Sequence, residues 1–116
     1  AIVGDWNVAP LSTDIWSEED SEAETHVTAE ARAAFAAFED CDFEEISRRF
    51  IPDERTYTFW DYKQLRFPRG EGMRIDFAYV SPSLAARTTA AQIVRDERKG
   101  KGASDHVPVV LEIADS

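Results

Sequence analysis

Three short stretches of this chain carry side chains able to do chemistry together: Gly4-Asp5-Trp6-Asn7, Arg74-Ile75-Asp76 and Asp105-His106. Between them they supply three carboxylates, one carboxamide and one imidazole, each within or beside a short apolar run. A carboxylate accepts a proton or holds a hard cation. A carboxamide donates to phosphate oxygens, and an imidazole paired with a carboxylate moves a proton near neutral pH. This set fits cleavage of a phosphodiester by in-line attack of water. That reaction needs an acceptor for the water, hydrogen-bonding or cationic groups for the charge on the phosphorane, and usually a divalent metal. Asp5 fits the first role and Asn7 fits phosphate orientation. His106 fits as a donor to the phosphate, held by Asp76, and Asp105 fits a hard-metal ligand. Nucleophilic catalysis fits less well, because Cys41 and the serines have no evident base beside them.

The elements that must position these groups read as strands. Ile2-Val3 leads into Gly4–Asn7, and period-two geometry puts Asp5 and Asn7 on one side of an extended backbone. The same residues also read as an Asx turn that ends the strand. Met73 to Val80 is a second strand, with Ile75, Phe77 and Tyr79 on one face and Asp76, Ala78 and Val80 on the other. A carboxylate among small apolar groups is costly without a partner, so Asp76 calls for a histidine or arginine. The last strand is expected over Ser104–Ile113. Thr56 to Lys63 reads as a strand entering a loop. Its aromatics, followed by Lys63, Arg66, Arg69 and Arg74, interleave stacking surfaces with cations, as a nucleic-acid site does. Core packing with solvated bases explains them equally.

The remaining segments are scaffold. Pro10 to Glu24 is polar, acidic and aperiodic, a surface loop, and His26 near its end is a surface or capping residue. Thr28 is an N-cap, with Glu30 in the first turn, and Ala31, Ala34, Phe35 and Phe38 form one apolar helical stripe. Phe43, Ile46 and Phe50 continue a short helical or irregular segment. Ser81-Pro82 opens another helix, Ala90–Arg95 is a further strand, and 96–103 is a flexible basic loop.

With 116 residues the chain suits one small domain with a real core. No apolar run approaches the length that spans a bilayer, so no membrane partner is expected. The single cysteine permits no internal disulfide and fits a cytoplasmic location. The net charge of −10 is unevenly placed: residues 14–54 hold 14 acids against 3 bases, whereas residues 55–116 hold 10 bases against 8 acids. The total argues against a nonspecific polyanion binder, while the basic second half keeps a phosphate partner in play.

Four motifs, in order, resemble the C-terminal half of the exonuclease III-like AP endonucleases of the endonuclease/exonuclease/phosphatase superfamily. They are Gly4-Asp5-Trp6-Asn7, Tyr57-Thr58-Phe59-Trp60-Asp61-Tyr62, Gly72-Met73-Arg74-Ile75-Asp76 and Ser104-Asp105-His106-Val107-Pro108. The resemblance implies an α/β fold: a four-layer sandwich of two packed β-sheets flanked by helices, with residues 1–116 as the C-terminal half. It implies Mg²⁺-dependent hydrolysis (Mn²⁺ as a substitute) of the phosphodiester 5′ to an abasic site in double-stranded DNA, with 3′–5′ exonuclease and 3′-phosphatase activity in bacterial relatives. By motif position Asp5, Asn7, Asp76 and His106 are catalytic, and Asp105, Asp5 and Asn7 hold metal. Phe59, Trp60, Met73, Ile75 and Arg74 lie at the pocket for the extruded sugar. A phosphomonoester or phospholipid phosphatase of the superfamily shares the catalytic set without needing that pocket, and a non-catalytic half-domain is the third reading. The upstream half of the fold is expected to be missing, leaving a large apolar sheet face exposed and the chain incomplete as a catalyst. A monomer is expected apart from that half.

Overall fold

The computed structural model describes residues 1–19 and 24–115. Its centre is the strand β3, Asp76–Val80, which pairs antiparallel with β1, Ile2–Asp5, on one side and with the two-residue β2, Glu44–Glu45, on the other. A separate two-stranded antiparallel sheet joins β4, Thr88–Ile93, to β5, Val109–Ile113, with an irregularity between Thr88 and Ala90. The register of β1 on β3 sets Asp5 directly opposite Asp76.

The alternation along β3 sorts two cores. Phe77 and Tyr79 face α1, Ala29–Ala36, and pack with Val8, Phe35, Phe38 and Trp6. Trp6 meets Phe35, Phe38 and Tyr79 edge-on, the arrangement aromatic quadrupoles favour. Ala78 and Val80 face the other way, onto Ile46, Ala85, Leu84, Phe50 and Leu111. These come from α2, Ile46–Phe50, from α3, Pro82–Arg87, and from β5. The expected helix caps form: the Thr28 hydroxyl accepts from the Ala31 N–H at 3.1 Å, and Ser81 caps α3 with Pro82 in its first turn. Ala34 faces solvent, so the stripe on α1 is Ala31, Phe35 and Phe38.

Several expectations are corrected. Among the described residues β3 presents no bare apolar face, being buried on both sides; the exposed large apolar residues of the sheets are Ile2 and Val3 on the edge strand β1 and Val110 and Ile113 on β5. Helix α1 covers one face of β3 and the α2–α3–β5 cluster covers the other. The last strand begins at Val109, not Ser104. Asp105-His106 lies in an irregular approach tied to the 56–63 segment through an isolated bridge between Phe59 and His106. That segment is not a strand either; Phe59 bridges His106 on one side and Met73 on the other. Residues 20–23 of the expected acidic loop lie outside the described residues, and the part before them is not merely surface. Asp14 and Ile15 are buried, Ile15 against Met73 and Ala9.

Asp14 is buried because Arg48 reaches it with two parallel hydrogen bonds of 2.8 and 2.6 Å. Nearby, Glu45 caps α2 through the Ser47 and Arg48 N–H groups and accepts from the Ala78 N–H of β3 at 2.9 Å. Arg74, fully buried, donates to the Ile51 carbonyl and the Ser47 hydroxyl. Burial, with Arg48 nearby, lowers its pKa to about 10.

Candidate active site

The ends of two strands and one irregular segment converge on His106. Strand β1 ends at Asp5, whose Oδ1 accepts the Asn7 N–H at 2.8 Å. This is an Asx turn. It swings the chain out of the extended conformation, leaving Asn7 at φ 54 and not on the strand face shared with Asp5. His26 Nδ1 lies 2.9 Å from the Asn7 carbonyl oxygen, securing the far side of that turn.

His106 sits between the two opposed aspartates. Its Nδ1 is 2.8 Å from Asp76 Oδ2, and its Nε2 is 3.6 Å from Asp5 Oδ2. The first contact is a hydrogen bond. The second is too long for one, so Nε2 and Asp5 face each other across a gap. Asp76 is the most enclosed of the three, with 14 % of its side chain exposed against 30 % for His106 and 36 % for Asp5. Burial raises the Asp76 pKa. Hydrogen bonds from His106 and Thr58 pull the other way, and the nearby Asp5 charge adds to the rise.

Thr58 was not singled out by sequence, yet it fixes the position of Asp76. Its fully buried hydroxyl oxygen accepts the N–H groups of Ile75 and Asp76 at 3.1 and 3.2 Å. Its only sequence trace is a small polar residue inside an aromatic run. Phe59, one residue on, lays its ring against His106 with centroids 5.0 Å apart.

The remaining candidates fall into three places. Met73 and Ile75 are buried behind Phe59, with Ala9, Ile15 and Trp16. Trp60 is 2 % exposed and packs with Tyr57 and Val107, so it braces the Phe59 segment from behind instead of facing the His106 opening. Arg74 points into the Ser47–Ile51 network, where its charge is shielded from any ligand. Asp105 directs its backbone carbonyl to the Trp60 N–H at 3.0 Å. Among the described residues, the group of acids and histidines whose donor atoms approach within 4.8 Å consists of Asp5, Asp76 and His106, without Asp105. These three could hold a metal ion. Both imidazole nitrogens already face carboxylates, so the open donors are carboxylate oxygens, which suit a hard divalent cation. A cavity of about 490 Å³ lies apart from this cluster, over Phe35 and Phe77, with its arginines Arg32, Arg48 and Arg49 all engaged by acids.

An imidazole thus lies between opposed carboxylates at two strand ends, beside an aromatic ring. The chain belongs to the Endonuclease/Exonuclease/phosphatase family, which it matches over residues 1–106. Among curated proteins it is 33% identical to an exodeoxyribonuclease of Bacillus subtilis over 97% of this chain and 43% of that protein. It is 30% identical to exodeoxyribonuclease III of Haemophilus influenzae, over 96% of this chain and 44% of that one. Among solved structures it superposes on an AP endonuclease from Archaeoglobus fulgidus with a TM-score of 0.86 at 32% identity, covering 96% of this chain and 44% of that one. On a 3′ phosphatase, NExo, from Neisseria bound to a product DNA hairpin the TM-score is 0.88 at 31% identity, covering 96% and 43%. The chain thus spans less than half the length of these relatives. Its mixed helix-and-strand architecture with two small sheets matches the corresponding part of the AP endonuclease fold. Among the described residues no helix is long and apolar enough to cross a membrane.

Proposed function

We propose that this chain carries the His106 part of the active site of a DNA-repair nuclease, one that hydrolyses the phosphodiester 5′ to an abasic site in duplex DNA. The observation that carries the reading is the position of His106, hydrogen-bonded to Asp76 and facing Asp5 across 3.6 Å, with Phe59 against its ring. Asp76 accepts the Nδ1 proton and so fixes which nitrogen is presented: Nε2 is turned toward Asp5, and a phosphate oxygen or the attacking water bridges the two from their exposed side. Protonated, Nε2 donates to a non-bridging phosphate oxygen. Asp5, more exposed and anchored through its other oxygen to the Asn7 N–H, orients or deprotonates the water. The side chains of Asn7 and Asp105, on the loops beside these two residues, complete the phosphate and metal contacts.

Two opposed aspartates served by one imidazole leave an excess of negative charge that a cation would offset. Asp5 has lone pairs to spare for Mg²⁺, whose contribution when bound is to neutralise charge building on the phosphate oxygens. Phe59, backed by Met73 and Ile75, forms one wall for a sugar that lacks its base, which enters an apolar slot more readily than a full nucleotide does. The likeness to a 3′ phosphatase supports processing of 3′ ends as a second activity of the same site.

The test is Mg²⁺-dependent nicking of a duplex bearing one abasic site. The chain is assayed alone and fused to the part of the B. subtilis exodeoxyribonuclease that it does not cover. Incision that disappears in His106→Ala supports the reading. Turnover of a phosphomonoester without nicking moves the chain to the phosphatase branch, and selective loss of abasic-site incision in Phe59→Ala supports the sugar pocket.

A further inference from the structure

Next to the His106 cluster, three aromatic rings alternate with two guanidinium groups. Arg98 lies 4.8 Å from the Tyr62 ring centre and 5.3 Å from that of Phe67. Arg95 lies 4.5 Å from the Phe67 ring centre and 5.6 Å from that of Trp60. The ladder is pinned at both ends. The Tyr62 hydroxyl donates to the Ala103 carbonyl at 2.6 Å, and Arg98 donates to the Trp60 carbonyl at 3.1 Å. Its inner end adjoins the catalytic cluster, because Trp60 bonds Asp105 and follows Phe59, whose ring touches His106.

Ordinary surface arginines pair with acids, and this chain has acids in excess. Yet among the described residues neither Arg95 nor Arg98 has a carboxylate within salt-bridge distance, and the same holds for Arg55. Arg55 and Arg95 line a cavity of about 360 Å³ whose other walls are Thr56, Tyr57, Trp60, Gly70 and Ile93, with no acid among them. On the Arg98 side a second cavity, about 410 Å³, is lined by Tyr62, Arg98 and Lys99 together with Asp61 and the exposed Leu65. Arg55 holds φ 58, a left-handed conformation uncommon for a residue with a side chain. The two loops that build the ladder, 61–71 and 95–101, carry seven bases against four acids in a chain of net charge −10.

A guanidinium stacked on a ring keeps its in-plane N–H groups available and is already ordered, so it gives up little freedom on meeting a phosphate. Resting on the nuclease reading above, we propose that the Tyr62–Arg98–Phe67–Arg95–Trp60 ladder, with Arg55, is a phosphate track. It holds the sugar–phosphate backbone of the DNA on the flank of the scissile bond. The aromatic rings serve as rigid supports for the cations, and the acid-free cavity between Arg55 and Arg95 takes one backbone phosphate.

The test is the salt dependence of binding to a fluorescent duplex with one abasic site, measured without divalent metal so that nothing is cut. Each phosphate contact contributes about 0.9 to the slope of log affinity against log salt concentration. Arg55→Gln with Arg95→Gln is expected to remove that one phosphate contact, lowering the slope by about 0.9 and weakening binding at low salt at least about tenfold. Arg95→Lys, which keeps the charge, retains most of the slope and guards against a mere packing defect, with the thermal midpoint of every variant recorded. An unchanged slope and affinity in the double glutamine variant overturns the track while leaving the nuclease reading intact. A parent protein that binds neither duplex nor single-stranded DNA overturns both.

Discussion

Asp76→Asn separates what the site costs from what it does. In the parent, the donor oxygens of Asp76 and Asp5 lie within 4.8 Å of each other on directly opposed strand positions. At an effective dielectric of about 20, two unit charges at that separation repel by about 3 kcal/mol, and the water around Asp5 reduces this to about 1 kcal/mol. Neutralising Asp76 relieves that repulsion. It also weakens the 2.8 Å bond to His106, because a charged acceptor becomes a neutral one. The two effects oppose each other, so the variant is expected to stay within about 1 kcal/mol of the parent in stability.

Activity has no such compensation. A charge-assisted hydrogen bond worth about 1.5–3 kcal/mol that holds the imidazole in place corresponds to a roughly 10- to 150-fold loss in kcat/KM. The pH dependence gives the sign. Burial raises the Asp76 pKa in the folded state, so this group favours folding while it is protonated, at pH below its unfolded value. The contribution is lost as pH rises through the folded value. The carboxamide of the variant does not titrate, so the difference in thermal midpoint should move in the variant's favour as pH is raised through that window. Circular-dichroism melts across pH, with incision measured on the fused form described above, make the check. A variant that melts well below the parent yet incises at the parental rate would refute the reasoning.

Other perturbations follow from the same geometry. Arg48→Met leaves the buried Asp14 carboxylate without its two guanidinium bonds and is expected to cost about 3–5 kcal/mol, read by urea unfolding. Thr58→Val keeps shape but strips the acceptor from two N–H groups; a loss of about 2 kcal/mol and a fall in incision are expected, with Thr58→Ser restoring part of each. Gly72→Ala places a Cβ 2.6 Å from Trp60 Nε1 and 2.8 Å from the Phe59 carbonyl oxygen, so the Phe59 wall must shift. Abasic-duplex incision is expected to fall more than the thermal midpoint alone accounts for, and parental incision would show that Phe59 does not need its present seat.

Local pattern was enough for the elements whose physics is local. The N-caps Thr28 and Ser81, the two-faced alternation of β3 and, Ala34 apart, the stripe Ala31–Phe35–Phe38 could be read from spacing, since each depends on neighbours a few residues away. The chemistry of Asp5, Asp76 and His106 was also visible, because residue type and an adjoining apolar run suffice to nominate a carboxylate or imidazole. What spacing could not decide was company. Phe59 and Trp60 are neighbours in one aromatic run, yet the Phe59 segment bends so that one ring meets His106 and the other closes a core with Tyr57 and Val107. Arg74 looked like part of a basic surface and is fully buried, since Ser47 and the Ile51 carbonyl, more than 20 residues upstream, satisfy it. Asp14 sits in an acid-rich stretch that reads as solvated, and only the long-range approach of Arg48 makes its burial tolerable. Residue type and local spacing thus dictate which groups can act and which turns and caps form. Folding alone settles how near Asp5 comes to His106, which aromatic ring lies against it, and which arginines, among the described residues, have no acid within salt-bridge distance. Those outcomes depend on pairings between strands and loops far apart in the chain, where no local preference acts.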